Sequence, residues 1–140
     1  MATVQFFNQN VTYRFGNRKA IKLWLQNVIH AEQKKAGPVT IILCDDAYLL
    51  ELNMKYLAHE TLTDVITFDY SEGILISGDV FISIDRIKEN ASLFSKTVNN
   101  ELMRVMVHGV LHLCGYKDKT KKDSALMREK EDTYLAMLAG

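Results

Sequence analysis

The stretch that most restricts the fold is residues 98 to 113, VNNELMRVMVHGVLHL. At 100° per residue, Glu101, Arg104, His108 and His112 fall within about 80° of one another, and nearly every other position is apolar. A helix so apolar must be surrounded by other elements, which makes it the centre of a domain with one narrow polar stripe. Thr97 suits its N-cap, and Gly115 suits the left-handed turn that ends it. Two readings of the stripe stand side by side: the solvent edge of a core helix, or two imidazoles one turn apart that hold a metal ion.

The remaining segments supply the surroundings. ATVQFF (residues 2 to 7) suits a first strand, and Asn17 is placed to cap a helix with Ile21, Leu23, Trp24, Leu25, Val28 and Ile29 on its apolar side, stopped at Gly37 and Pro38. VTIILCDD reads as a buried strand, and Asp45 and Asp46 as caps for a helix through AYLLELNMKYL. DVITFDY and ILISGDVFISI form a hairpin through Ser71, Glu72 and Gly73. A short helix is expected after Asp85, and TKKD at 120 to 123 resembles a capping box for a last helix to about Leu138, with Leu126, Met127, Tyr134 and Leu138 in the core. The order β-α-β-α-β-β-α-α-α predicts an α+β fold. The expectation is a single compact domain over residues 1–140, a mixed sheet of about four strands packed with about five helices.

With 140 residues, 48% of them hydrophobic, the chain suffices for one core. Its formal charge is zero, so any attraction to nucleic acid has to come from a local basic patch. MATVQFFNQN lacks the basic and apolar regions of a signal peptide, and no apolar run is long enough to span a bilayer, so a soluble, cytoplasmic protein is expected. Cys44 and Cys114 lack the spacing of a disulfide framework or zinc ribbon and are expected to be free. Cys114 is read as a helix residue in preference to a fourth metal ligand.

The metal reading gains from the residues just past the helix. Gly115 and Asp118 complete the spacing H-x-x-x-H-x-x-G-x-x-D, in which the glycine reverses the chain and returns Asp118 as a third ligand beside His108 and His112. With histidine last and glutamate directly after the first histidine, this spacing is the zinc site of the metzincin peptidases. Here Gly109 occupies the glutamate position, which removes a peptidase's general base. Three protein ligands leave a coordination position for water, the arrangement of a hydrolytic site.

HGVLHLCGYKD also resembles the signature H-G-x-L-H-L-x-G-Y-D-H of the YbeY family, the bacterial rRNA maturation endoribonucleases. NMKYLAHETLTDVITF (residues 53 to 68) is similar to a second family segment at Asn53, Tyr56, Thr63, Asp64, Val65 and Phe68. SGDVFIS resembles the family's G-D-I strand, and Glu101 stands where the family places a glutamate. The resemblance implies a metal-dependent endoribonuclease with one divalent transition metal, zinc by expectation, that cleaves single-stranded RNA in 16S rRNA 3′-end maturation and ribosome quality control. Its implied partners are RNA, the small ribosomal subunit and ribosome assembly factors; neither a membrane nor a nucleotide cofactor is expected.

This chain departs from the pattern in two places. Lys117-Asp118 replaces the family's Asp-His, so a carboxylate stands at the third imidazole's position, which predicts lower zinc selectivity and more tolerance of manganese. The family's arginine aligns with Leu57, its lysine with His59, and its proline with Leu62. Substrate contacts are therefore expected from Arg86, Lys117, Lys119 and His59, and the catalytic group from His108, Glu101 and Arg104. Asp64 and Asp79 are candidates to orient a ligand histidine or to close a turn. Two other readings are carried: a non-catalytic ribosome assembly factor with a structural metal, and a zinc metalloprotease of unusual design.

Overall fold

Alternating β-branched residues make four strands, and the apolar stripes of five helices cover them. The computed structural model describes residues 4–57 and 63–139. The elements are β1 (Val4–Asn8), α1 (Arg18–Ala31), β2 (Lys35–Cys44), α2 (Asp46–Leu57), β3 (Val65–Asp69), β4 (Leu75–Ser83), α3 (Ile84–Leu93), α4 (Val98–Leu113) and α5 (Lys121–Ala139), in the expected order. The sheet runs β1-β2-β4-β3. β1 and β4 are parallel to β2, and β3 closes the expected hairpin antiparallel to β4, so the sheet is mixed and the domain is a single α+β unit.

One face of the sheet carries the main core. Val39, Ile41 and Leu43 of β2 and Ile76, Val80 and Ile82 of β4 meet α1 residues such as Leu25 and Ile29 and α4 residues such as Leu102, Met106 and Val110. A smaller cluster of Cys44, Leu49 and Ile66, with Tyr48, Phe68 and Phe81 against it, joins α2 to the sheet. α4 contacts α1, α3, α5, β3 and β4, as its all-round apolar surface requires.

Gly109 shows how close the central contact is. A Cβ there would lie 2.6 Å from Val80 Cγ1, so the helix sits on β4 at a distance that only glycine permits. The position that carries a glutamate in the metzincin spacing therefore faces the sheet, and a side chain there would point away from the polar stripe.

Several boundaries differ from expectation. Asn17 is in the left-handed region (φ 57°) and makes no side-chain cap bond. α1 ends well before Gly37: Gln33 adopts φ 61°, and the amides of Gln33 and Lys34 bond back to the carbonyls of His30 and Ile29. Gly37 and Pro38 instead lie within β2, where the register to β4 shifts between Ala36 and Val39; such an irregularity is where an inner strand tolerates proline. α3 starts earlier than expected, with Ser83 Oγ, not Asp85, accepting from the Arg86 amide. Asp45 caps α2 through the Tyr48 amide. Leu23 and Leu126 are exposed, while Met127 and Tyr134 are buried. No helix among the described residues is long and apolar enough to cross a membrane.

Candidate metal centre

The polar stripe of α4 opens into a cleft of about 360 Å³ whose walls come from α3, α4, α5 and the loop between α4 and α5. The loop's path is set by a complete chain reversal at the helix end. Cys114 is the C-cap, Gly115 adopts φ 110°, and the amides of Gly115 and Tyr116 donate to the carbonyls of His112 and Leu111. Asp118 is then fixed from the other side, because Ser124 Oγ donates to its carbonyl at 3.0 Å while Thr120 caps α5 through the Asp123 amide.

The reversal brings Asp118 back over the two histidines. Asp118 Oδ2 lies 3.4 Å from His108 Nε2 and 3.4 Å from His112 Nε2. The imidazole rings stand edge to face with centroids 4.6 Å apart, and one donor atom from each of the three residues falls within 4.8 Å of the others. Two donors at the usual bond length of about 2.0–2.1 Å on a tetrahedral ion are about 3.4 Å apart, so the donor set has the dimensions such an ion needs.

The outer ring nitrogens point to the same conclusion. His112 Nδ1 is 2.9 Å from the Tyr116 carbonyl, an acceptor, so this nitrogen carries a proton, and Nε2 faces Asp118. His108 Nδ1 is 2.6 Å from Glu131 Oε2. A carboxylate and a carbonyl on the far nitrogens are the partners that fix tautomer and ring orientation in metal sites. Two Nε2 atoms and a carboxylate oxygen converge on one point, a donor set that could hold a metal ion.

Glu131 is a site residue that the sequence motifs do not include. It lies on α5, 23 residues beyond His108, and is 5% exposed. A signal for it exists in the chain: Met127, Glu131, Tyr134 and Leu138 share one helical face, and a carboxylate inside that apolar stripe needs a partner. Glu131 has two. Besides His108, its Oε1 accepts from Arg104 Nη1 at 2.8 Å, and Arg104 Nη2 reaches Asp132 at 2.6 Å. Burial pushes the Glu131 carboxyl up, but the His108 and Arg104 contacts outweigh it and hold the pKa below the usual range. For His108 burial works downward, and the Glu131 carboxylate, then Asp118 and Asp64, bring the pKa above its ordinary value.

Glu101 and Asp64 line the same cleft. Burial raises the pKa of both; the Asp64 charge raises Glu101 further, and His108 draws Asp64 back. Arg104 is committed to α5 through its two carboxylate partners. Arg86 lies outside the cleft lining, with its Nε donating to both oxygens of Asp46 at 3.1 and 3.2 Å. Lys117 and Lys119 are exposed on the loop beside Asp118. His59 and Leu62 fall outside the described residues, as does the side chain of Leu57. Asp79 accepts from Tyr70 Oη at 3.2 Å and points to the sheet face opposite Val80. Cys114 is half-buried and stands apart from the donor group; burial pushes its thiol up to about 12.

A single-domain α+β scaffold that gathers two histidines of its central helix and an aspartate of the following loop defines the class to which this chain belongs. The family model described as Endoribonuclease YbeY matches residues 5–139. Curated relatives of that name are 48% identical in Flavobacterium johnsoniae and 50% identical in Flavobacterium psychrophilum, each over 131 residues and 94% of both chains. A Porphyromonas gingivalis relative is 40% identical over 138 residues, 99% of this chain and 91% of its own. The solution structure of TM1509 from Thermotoga maritima superposes with a TM-score of 0.68 at 27% identity, covering 96% of this chain and 88% of that one. The chain belongs to the YbeY endoribonuclease family.

Proposed function

We propose that this protein is a metal-dependent endoribonuclease that hydrolyses single-stranded RNA, with His108, His112 and Asp118 holding one divalent ion, zinc by expectation. The observation that carries this reading is the convergence of two Nε2 atoms and a carboxylate oxygen beside an open cleft, in a chain of the YbeY family. The finer role rests on the family resemblance: maturation of the 16S rRNA 3′ end and ribosome quality control in the cytoplasm, in contact with the small subunit and its assembly factors.

When bound, a divalent ion supplies Lewis-acid chemistry, making hydroxide available near neutral pH and polarising a phosphoryl oxygen. The protein's own groups do the rest. Glu131 holds the His108 ring and the Tyr116 carbonyl holds that of His112, so both Nε2 atoms face Asp118. Arg104 fixes the Glu131 carboxylate, which makes it a positioning residue. Glu101, a buried carboxylate with a raised pKa on the cleft wall, is the group that takes up or returns a proton at its carboxylate oxygen. Lys117 and Lys119 flank Asp118 and are free to approach the RNA backbone.

The test is cleavage of a single-stranded fragment spanning the 16S rRNA 3′ end by purified, metal-loaded protein, beside His112→Ala and Glu101→Gln. Expected is metal-dependent cleavage by wild type, loss with His112→Ala together with its metal, and loss with Glu101→Gln while the metal is retained. RNA binding without cleavage under any metal would replace the enzyme reading with that of an assembly factor whose metal is structural.

A further inference from the structure

We infer that single-stranded RNA reaches the metal centre along a groove between the C-terminal end of α3 and α5, with one unpaired base stacked on Phe94 and the adjoining phosphates on Lys96 and Arg128. The inference rests on the endoribonuclease reading and adds the substrate path.

The groove is continuous. The cleft at the donor group and a second cleft of about 280 Å³ share Phe94, Glu101, Arg104 and Arg128, and the second extends to Lys96. Its two ends differ in charge. Asp64, Glu131 and Asp118 line only the inner cleft, where an RNA phosphate is repelled until a cation is bound. Lys96 lines only the outer cleft, while Glu101 and Arg128 line both. Arg104 is already neutralised by Glu131 and Asp132, whereas Lys96 and Arg128 make no direct ion pair among the described residues; Arg128 lies near enough to Glu101 to lower its pKa, and with Lys96 it is a cation left to meet phosphate.

Phe94 lies between the two ends and is 62% exposed. A single exposed apolar side chain is ordinary on a protein surface; this one lies on a groove wall and projects from a hydrogen-bonded turn. Phe94 is the C-cap of α3, and its amide bonds to the Asn90 carbonyl at 3.0 Å. Ser95 takes the left-handed conformation (φ 55°), and the Lys96 amide returns to the Ala91 carbonyl at 2.8 Å. The reversal therefore fixes the backbone from which the ring and the lysine both project. An exposed ring on a fixed turn, flanked by cations, is the arrangement that binds single strands, because every base offers a π-face and every linkage a phosphate. Duplex RNA keeps its base faces stacked and cannot use such a platform.

The test is fluorescence anisotropy with zinc-loaded full-length protein and two probes: a fluorescein-labelled 2′-O-methyl oligouridylate, which resists cleavage, and an abasic oligomer of the same length. Phe94→Ala is expected to weaken oligouridylate binding about ten-fold or more and to leave the abasic probe unchanged, while Phe94→Trp retains binding. Lys96→Ala and Arg128→Ala should weaken both probes and lower the slope of log affinity against log salt by about one each. If Phe94→Ala binds the oligouridylate as wild type does, or weakens both probes equally, the stacking platform is overturned while the RNA reading stands. If wild type binds neither probe, the RNA reading itself fails, and the groove with it.

Discussion

Glu131 of α5 stands 2.6 Å from His108 Nδ1 and also accepts from Arg104, so the last helix orients the first histidine of the proposed donor set. Glu131→Gln keeps the shape but gives the imidazole a weaker, neutral acceptor. The expected outcome is a metal affinity lower by about 10- to 100-fold with the fold intact. Competition titration against a chromophoric zinc chelator measures it; an unchanged affinity would mean that Glu131 serves only to pair Arg104.

The same pair predicts how metal and proton compete. In the metal-free protein the raised His108 pKa means that the imidazolium's contribution to stability is fully present below its unfolded value of 6.5 and is lost as pH rises through the folded value. A metal ligand must be unprotonated, so zinc affinity runs the opposite way, falling as pH drops through that folded value. Thermal melts with and without zinc across this window should show a stabilisation that grows with pH. A pH-independent increment would remove His108 from the ligand set.

Gly109 provides a test of packing. Alanine normally favours a helix over glycine by about 1 kcal/mol, yet here its Cβ would press on the stiff, fully buried Val80. Gly109→Ala is expected to destabilise the protein by about 1–3 kcal/mol in urea unfolding. Adding Val80→Ala should return part of that loss, because it removes the methyl group in the way. Gly109→Glu, which completes the metzincin spacing, should fail to fold and show no peptidase activity.

The donor set is legible in the sequence because its parts are local. His108 and His112 are one turn apart, and Gly115 announces the reversal that returns Asp118. What escapes the sequence depends on contacts between distant segments. Nothing near Arg104 indicates that its partners are Glu131 and Asp132, 27 and 28 residues further on. Gly37-Pro38 looks like a helix stop because those residues usually are, but Gln33 has already turned the chain, and the pair is left to fill an irregularity in β2. Arg86 has the look of a phosphate contact until α2 places Asp46 beside it.

Glu32 couples the end of α1 to the loop that carries Asp118 of the proposed metal site. Its carboxylate accepts from Tyr116 Oη at 2.6 Å and from Tyr134 Oη, and Lys130 Nζ lies 3.5 Å away. Burial raises its pKa, but the two hydroxyls and Lys130 outweigh burial and leave it below the ordinary 4.5. A depressed folded pKa contributes stability that is present above the unfolded value and lost as pH falls through the folded one. The difference in melting temperature between wild type and Glu32→Gln, both metal-free, should therefore be largest near neutral pH and shrink below about pH 4.5. A constant difference would show that the glutamine loses packing alone.

Asp118 is the residue that sets this chain apart from the family signature, and it predicts a metal preference. A carboxylate oxygen is a harder donor than imidazole nitrogen, so a His-His-Asp set discriminates less between zinc and manganese than three imidazoles do. Asp118→His should increase the ratio of zinc to manganese affinity, and Asp118→Ala should lower affinity for both ions by leaving only two ligands. Isothermal titration of the three proteins with each ion gives the ratios directly. Should wild type favour zinc as strongly as Asp118→His does, the exposed carboxylate is not coordinating, and the third donor has to be sought elsewhere around the cleft, where Asp64 and Glu101 are the remaining carboxylates on its wall.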